Sequence, residues 1–232
     1  MSTTSLKKII RHHIGWAVAA AVVIGMVLMG SSEALRAESP GERIVKTTCV
    51  GCHRLEGQAT GRRFKKAPDL IGAGDKYQRS WLLAWLKNPK FKFYPMGYDF
   101  QEDRKQRHLA LSSPDAEAVT EYLGTMKEPL VKHGVMANVA PANIERGKAR
   151  YEVLQCYACH RTPDSSPQGW TGGDTSTDLR ESGKRYQADW LHRFNKNPLD
   201  FVPDSAAFVP TPTQNVTEQD VFDVTAYMMT FK

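Results

Sequence analysis

The chain has 232 residues, of which 41% are hydrophobic and 24% are charged, and its formal net charge at pH 7 is +6. A hydrophobic content of this size is ordinary for a globular protein, and the length allows two domains of about 100 residues each after a short leader. The positive charge does not indicate a nucleic-acid-binding protein, because half of it lies in residues 1–37 and no Lys/Arg run or aromatic platform follows.

The N-terminal segment combines a positively charged start with an apolar run. Lys7, Lys8 and Arg11 precede 17 uncharged residues, from Ile14 to Gly30. This pattern is typical of an export signal, and the run is long for a cleaved signal but short for a membrane span. We expect residues 1–37 to form one hydrophobic helix that anchors the chain on the periplasmic side of the bacterial inner membrane. Cleavage of this leader would instead leave a soluble periplasmic protein.

The pattern Cys-x-x-Cys-His occurs twice and uses every cysteine of the chain: Cys49, Cys52 and His53 in the first copy, and Cys156, Cys159 and His160 in the second. In a c-type haem site, two thiols at this spacing bond the porphyrin edge and the adjacent His is the proximal ligand of the iron. A zinc knuckle or a thioredoxin-like dithiol has similar spacing, but two copies that leave no cysteine over favour haem. The sequence therefore predicts two covalently bound haem c groups.

Further matches show that the chain contains an internal repeat. Between Asp69 and Asn88 each matched residue lies 109 positions before its partner, as in Asp69/Asp178, Tyr77/Tyr186, Trp81/Trp190 and Asn88/Asn197. Near the end of each half, Val119, Thr120 and Tyr122 match Val224, Thr225 and Tyr227. Motifs that recur in one order indicate a duplicated domain. We place the first domain at residues 38–128, a linker at 129–141 and the second domain at 142–232.

Each half shows helical patterns in the same order. A short amphipathic segment precedes each haem motif, and a helix over 80–87 or 188–196 ends at an Asn-Pro pair. Capping signals at 113–117 and 217–220 precede the last helix of each half. No strand-like alternation of useful length is present. The predicted fold class is therefore all-α.

With these motifs the chain resembles the class I, mitochondrial-like cytochrome c family twice over, and hence the dihaem cytochromes c. The resemblance covers about 195 residues and implies two small all-α domains, in each of which the first and last helices cross and the haem lies in an apolar crevice. It also implies that the backbone carbonyls of Pro68 and Thr177 accept the ring N–H of the two proximal histidines. Trp81 and Trp190 would either reach haem propionates or pack in the core.

The two halves differ where the family places its second axial ligand. Met96 lies seven residues after Pro89, and the resemblance makes it the thioether ligand of the first iron, which would raise the potential of that haem. Asp204 stands at the matching position of the second half. The alternatives for the second iron are an absent sixth ligand or one of five side chains: His133, Met136, His192, Met228 and Met229. The sequence predicts two inequivalent haems, the first with the higher potential.

These observations predict an electron-transfer protein with no catalytic residues of its own. Its partners would be redox proteins, in particular a membrane-bound respiratory or photosynthetic complex and a carrier or oxidase, and not nucleic acid. Residues 38–135 carry 17 basic and 12 acidic side chains, and the insertion 97–109, which contains His108, is either a docking element or a solvated loop. The alternative function is a haem enzyme, or a protein that binds or senses a small ligand at an open second haem.

Overall fold

The computed structural model describes residues 37–58, 67–89, 108–173, 176–203 and 215–232. Residues 39–232 form one compact unit that contains both repeats, and residues 1–38 form a separate one. The predicted N-terminal helix, Met96 and Asp204 lie outside the described residues. In the described part of the chain, no helix has the length and apolar character needed to span a membrane.

The described residues are mostly helical, and the helices follow one order in both repeats. The first repeat contains α1 (Pro40–Thr47), α2 (Ala73–Lys76), α3 (Arg79–Lys87) and α4 (Ser113–Thr125). The second contains α5 (Pro141–Val153), α6 (Ser182–Arg185), α7 (Ala188–Lys196) and α8 (Glu218–Met228). Short 3₁₀ turns lie at Cys49–Gly51, Cys156–Ala158 and Pro198–Asp200. The helices predicted before each Asn-Pro pair are confirmed, with the start of α3 one residue earlier.

Side-chain caps explain where three of these helices begin. Ser39, Ser112 and Thr217 each accept a hydrogen bond from the backbone N–H three residues later. Each cap satisfies a backbone donor that the first helical turn leaves without an intrahelical partner. The capping signals predicted before α4 and α8 are therefore confirmed.

The prediction of an all-α fold was incomplete. In the second repeat, β1 (Thr162–Pro163) pairs antiparallel with β2 (Trp170–Thr171). Strands of two residues carry no measurable alternation, so the sequence pattern could not indicate them. The connection is stabilised locally, because the Asp164 carboxylate accepts hydrogen bonds from the backbone N–H and the hydroxyl of Ser166.

The first and last helices of each repeat pack closely at a glycine. A Cβ atom at Gly41 of α1 would collide with the backbone carbonyl of Ala118 in α4. In the second repeat, a Cβ atom at Gly147 of α5 would collide with the carbonyl of Asp223 in α8. These contacts bring the helices close enough to bury core side chains on both sides of the crossing, among them Val45, Val119, Leu123, Tyr151, Val224 and Met228.

The two repeats contact each other through a pseudo-symmetric backbone pairing. Tyr77 and Tyr186, which are equivalent residues, form an isolated antiparallel bridge. The backbone N–H of Gln78 donates to the Arg185 carbonyl at 2.9 Å, and that of Gln187 donates to the Lys76 carbonyl at 3.0 Å. The side-chain amides of both glutamines also donate to backbone carbonyls of the opposite repeat. The repeats are therefore held in one arrangement and not only tethered.

The predicted linker is itself packed on both repeats. Asp75 of α2, which is 1% exposed, accepts the backbone N–H of Glu128 at 2.7 Å. Asp189 of α7 accepts the backbone N–H groups of Gly134 and Met136 at 2.7 and 2.8 Å. Two carboxylates, one from each repeat, thus fix the segment that joins them.

Candidate haem sites

The first haem motif forms a tight turn directly after α1. The backbone N–H of His53 donates to the Cys49 carbonyl at 2.9 Å. The Nδ1–H of His53 donates to the Pro68 carbonyl at 2.6 Å, as predicted. A carbonyl only accepts, so the proton is on Nδ1 and the lone pair of Nε2 is available to a metal. Burial lowers the pKa of His53, which keeps the ring neutral.

The second haem motif has the same geometry with different side chains. The backbone N–H of His160 donates to the Cys156 carbonyl at 3.1 Å, and its Nδ1–H donates to the Thr177 carbonyl at 2.5 Å. The prediction that Thr177 replaces Pro68 in this role is confirmed, because the acceptor belongs to the backbone. Burial raises the pKa of the Cys156 thiol to about 11.

The donor set of both sites fits haem better than a metal ion bound by protein alone. All four cysteines are free thiols. Among the described residues, no group of three or more His, Cys, Asp or Glu side chains is placed to hold a metal ion. A structural zinc site needs four such ligands, whereas haem brings four porphyrin nitrogens of its own. One histidine and two thiols per site are what a covalent haem requires.

The candidate ligands of the second iron are bound into different parts of the fold. The Nε2 of His133 lies 3.7 Å from the Asp75 carboxylate of the first repeat. Met136 is buried in the segment that Asp189 fixes. The His192 ring packs against the Phe222 ring of α8 at 6.3 Å. Asp204, which lies outside the described residues, is not placed.

The last two candidates lie at the end of α8. Met228 is 5% exposed, and its sulfur accepts the side-chain amide of Asn195 at 3.5 Å. Met229 is partly buried and, together with Met136, lines a groove beside α8. The Met228 sulfur therefore has a hydrogen-bond partner within the protein.

Sequence reasoning missed one histidine beside the first site. The His108 ring lies 6.1 Å from the His53 ring and 4.3 Å from the Trp85 ring, measured between ring centres. Burial lowers the pKa of His108. In the sequence this residue lies near the end of a charged insertion. The one signal that could have indicated it as a site residue is the small number of histidines outside the leader.

A row of aromatic rings crosses the interface between the two repeats. Tyr77, which precedes α3, stacks with Trp81 and Trp85 of that helix at four-residue intervals, with ring centres 5.5 and 5.9 Å apart. In the second repeat, Tyr186 precedes α7 and stacks in the same way with Trp190 and Phe194, at 5.2 and 5.1 Å. The two rows meet at Tyr77 and Tyr186, whose centres are 6.1 Å apart.

Two helical repeats, each with a thiol pair and a carbonyl-oriented histidine, define a protein built to hold haem covalently. The family model for cytochrome c matches residues 39–127 and 144–232. The chain therefore belongs to the cytochrome c family and consists of two tandem cytochrome c domains. No curated protein and no solved structure matches the chain. Family membership implies covalently bound haem c and a function in electron transfer.

Proposed function

We propose that the chain binds two haem c groups and passes electrons between them, outside the cytoplasm, on the way from one redox partner to another. Cys49, Cys52 and His53 would hold the first haem, and the second motif would hold the second. The haem iron, when bound, supplies the one-electron redox chemistry. The protein supplies attachment, orientation and the surroundings of each site.

The observation that carries this proposal is the row of rings that runs from the first site across the interface into the second repeat. From His53 the row passes through His108, Trp85, Trp81, Tyr77, Tyr186 and Trp190, with successive ring centres 4.3–6.1 Å apart. The backbone pairing at Tyr77 and Tyr186 holds the middle of this row in place. A closely packed interior of this kind keeps distances constant.

Two cations flank the row at equivalent positions and reach across the interface. The Lys76 ammonium lies 4.9 Å from the centre of the Trp190 ring, in the other repeat. The Arg185 guanidinium is buried and lies 5.1 Å from the centre of the Trp81 ring, also in the other repeat. Each cation thus holds an aromatic ring of the opposite repeat by a cation–π contact, which helps to fix the row of rings where it crosses the interface.

The position in the cell and the partners follow from the leader and the charge distribution. An export signal would place both haem domains in the periplasm, where c-type haem is attached, and a retained leader would keep them at the inner membrane. The excess of basic side chains in residues 38–135 would favour docking on an acidic partner, such as a soluble carrier or a subunit of a membrane complex.

A second candidate function is the binding of a small ligand at the second haem. It is favoured by one difference between the cores of the two repeats. Leu86, which is 5% exposed, has Asn195 as its equivalent, and the Asn195 amide donates to Thr225 and to the Met228 sulfur. A polar group thus enters the core of the second repeat, and the Met228 sulfur has a partner within the protein. Both features agree with an iron that lacks a thioether ligand.

The haem count tests the main proposal. Purified protein is expected to contain two haems per chain that remain bound in acidified organic solvent. The Cys52→Ala and Cys159→Ala variants should each lose one of the two thioether bonds at one site, and replacement of both cysteines of one motif should leave one covalently bound haem per chain. A ratio of one in the unaltered protein, or haem that is extracted by the solvent, would contradict the proposal.

A further inference from the structure

Seven histidines occur in the chain, and their positions leave few that can serve a haem iron. His12 and His13 lie in the leader, and two others are the histidines of the haem motifs. Of the remaining three, His133 is next to the Asp75 carboxylate and His192 packs on Phe222. His108 lies beside the haem-motif histidine His53.

The separation of the His108 and His53 rings matches that of two ligands on one metal. Metal–imidazole bonds are about 2.0–2.1 Å long, so two imidazoles on opposite sides of one ion have ring centres roughly 6 Å apart. The observed separation is 6.1 Å, with an angle of 64° between the ring planes. Aromatic rings that only pack also lie 4.5–7 Å apart, so the distance needs a second observation to decide between the two.

The hydrogen bonds of the two rings supply that observation. The Nδ1 of His108 bonds the Leu109 carbonyl at 2.9 Å, just as the Nδ1 of His53 bonds the Pro68 carbonyl at 2.6 Å. A carbonyl has no proton to give, so both rings carry their proton on Nδ1. Both therefore keep the lone pair on Nε2, which is the tautomer that a metal-bound histidine adopts when a carbonyl orients it.

The fold also holds His108 from two sides. Its ring packs edge-on against Trp85 of α3, with centres 4.3 Å apart. Three residues later the backbone N–H of Leu111 donates to the Leu86 carbonyl at 2.9 Å, and Ser112 caps α4. The residue is thus fixed between the end of α3 and the start of α4.

We propose that His108 is the second axial ligand of the haem attached at His53. This inference rests on the proposed haem at the first motif and replaces the thioether of Met96 with an imidazole. Two protein nitrogens and four porphyrin nitrogens would complete a six-coordinate iron. The first haem then has a lower potential than a Met-ligated haem in the same crevice, because thioether ligation raises the potential.

The second repeat lacks this ligand. Where α4 and α8 align, equivalent residues are 105 positions apart, as in Val119 and Val224. By the same offset His108 corresponds to Thr213, which cannot replace an imidazole. The second haem therefore has no equivalent of His108 at this position.

Three variants of the full chain test the assignment: His108→Ala, Met96→Ala and, as a matched control, His192→Ala. Ligation is read from the optical and electron paramagnetic resonance spectra, and from carbon monoxide binding to the reduced protein. His108→Ala should open one iron, so that the protein binds one more carbon monoxide per chain than the unaltered protein does. Added imidazole should restore the six-coordinate spectrum. Met96→Ala and His192→Ala should leave the first haem unchanged.

A second substitution keeps the test informative if His108→Ala folds poorly. His108→Met should give a stable six-coordinate haem with a new thioether-to-iron absorption band and a higher potential. The inference is overturned if Met96→Ala opens the iron or removes a thioether band of the unaltered protein, or if His108→Ala changes neither spectrum nor ligand binding. Haem content is measured in every variant. A preparation without haem at the first motif would contradict the proposed function, whereas two haems with Met96 as ligand would contradict only this inference.

Discussion

The first repeat holds a second histidine beside its haem-motif histidine, whereas the second repeat has Thr213 at the equivalent position. On the attachment side the two repeats are nearly the same, since a backbone carbonyl orients each proximal ring. That carbonyl comes from Pro68 in one repeat and from Thr177 in the other. A role performed by a backbone carbonyl is therefore kept when the residue changes, whereas a role performed by a side chain is lost when that side chain is replaced.

The helix crossings show the same difference between backbone and side-chain roles. Gly41 and Gly147 are retained because each lies against a backbone carbonyl of the last helix. The residue that supplies this carbonyl differs: it is Ala118 in the first repeat and Asp223 in the second. Asp223 is buried and accepts hydrogen bonds from Arg146, Asn143 and Gln219. A polar network thus joins the crossing helices of the second repeat at a position where the first repeat has a methyl group.

The largest effect is expected at the two glycines. Gly41→Ala and Gly147→Ala should each destabilise their own repeat by about 3 kcal/mol, because the new methyl group meets a backbone carbonyl that cannot rotate away. Thermal unfolding followed at the haem absorption measures this change. Gly124→Ala is the control, since a Cβ at this helical glycine has no neighbour within 4 Å. An equally large loss in the control would show that helix crossing is not the cause.

Substitutions at the interface between the repeats should lower the stability of the protein by a smaller amount. The Gln78 amide makes one hydrogen bond to the other repeat and the Gln187 amide makes two. At about 0.5 kcal/mol for each bond, the double variant Gln78→Ala/Gln187→Ala should lose roughly 1.5 kcal/mol of coupling between the repeats and unfold in two steps. Calorimetry would detect the split transition. Gln168→Ala, which removes an amide from the strand connection instead, should unfold as the unaltered protein does.

The smallest effect is a difference in acid sensitivity. Burial acts to raise the pKa of Asp223, but its hydrogen bonds to Arg146, Asn143 and Gln219 outweigh burial and hold the pKa below the ordinary value. A carboxyl with a depressed pKa stabilises the fold above its unfolded pKa of about 3.9, and this contribution is lost as the pH falls through the lower folded value. The second repeat should therefore lose stability below about pH 4.

Asp223→Asn should remove this part of the acid dependence and leave the first repeat, with Ala118, unchanged. The measurement is the unfolding temperature of each repeat between pH 7 and pH 3, in the unaltered protein and in the variant. An identical acid dependence of the second repeat in both proteins would show that Asp223 does not contribute to it.

Much of this molecule follows from local sequence. The spacing of Cys49, Cys52 and His53, the caps of α4 and α8, and the Asn-Pro pairs after α3 and α7 depend on residues a few positions apart. Such features are set by helix geometry and backbone hydrogen bonding, and so a single sequence shows them. The repeat offset is visible in the sequence for another reason, since the two halves share residues in the same order, and it predicted Thr177 as the partner of His160.

Two features were decided only by the tertiary structure. His108 lies 55 residues after His53, and its place beside that ring depends on how the chain returns from α3 to α4. The meeting of Tyr77 and Tyr186 depends on how the two repeats dock, and aromatic residues at four-residue spacing resemble ordinary core residues in a sequence. Long-range contacts of this kind leave no local pattern, because they depend on chain closure and on packing between elements.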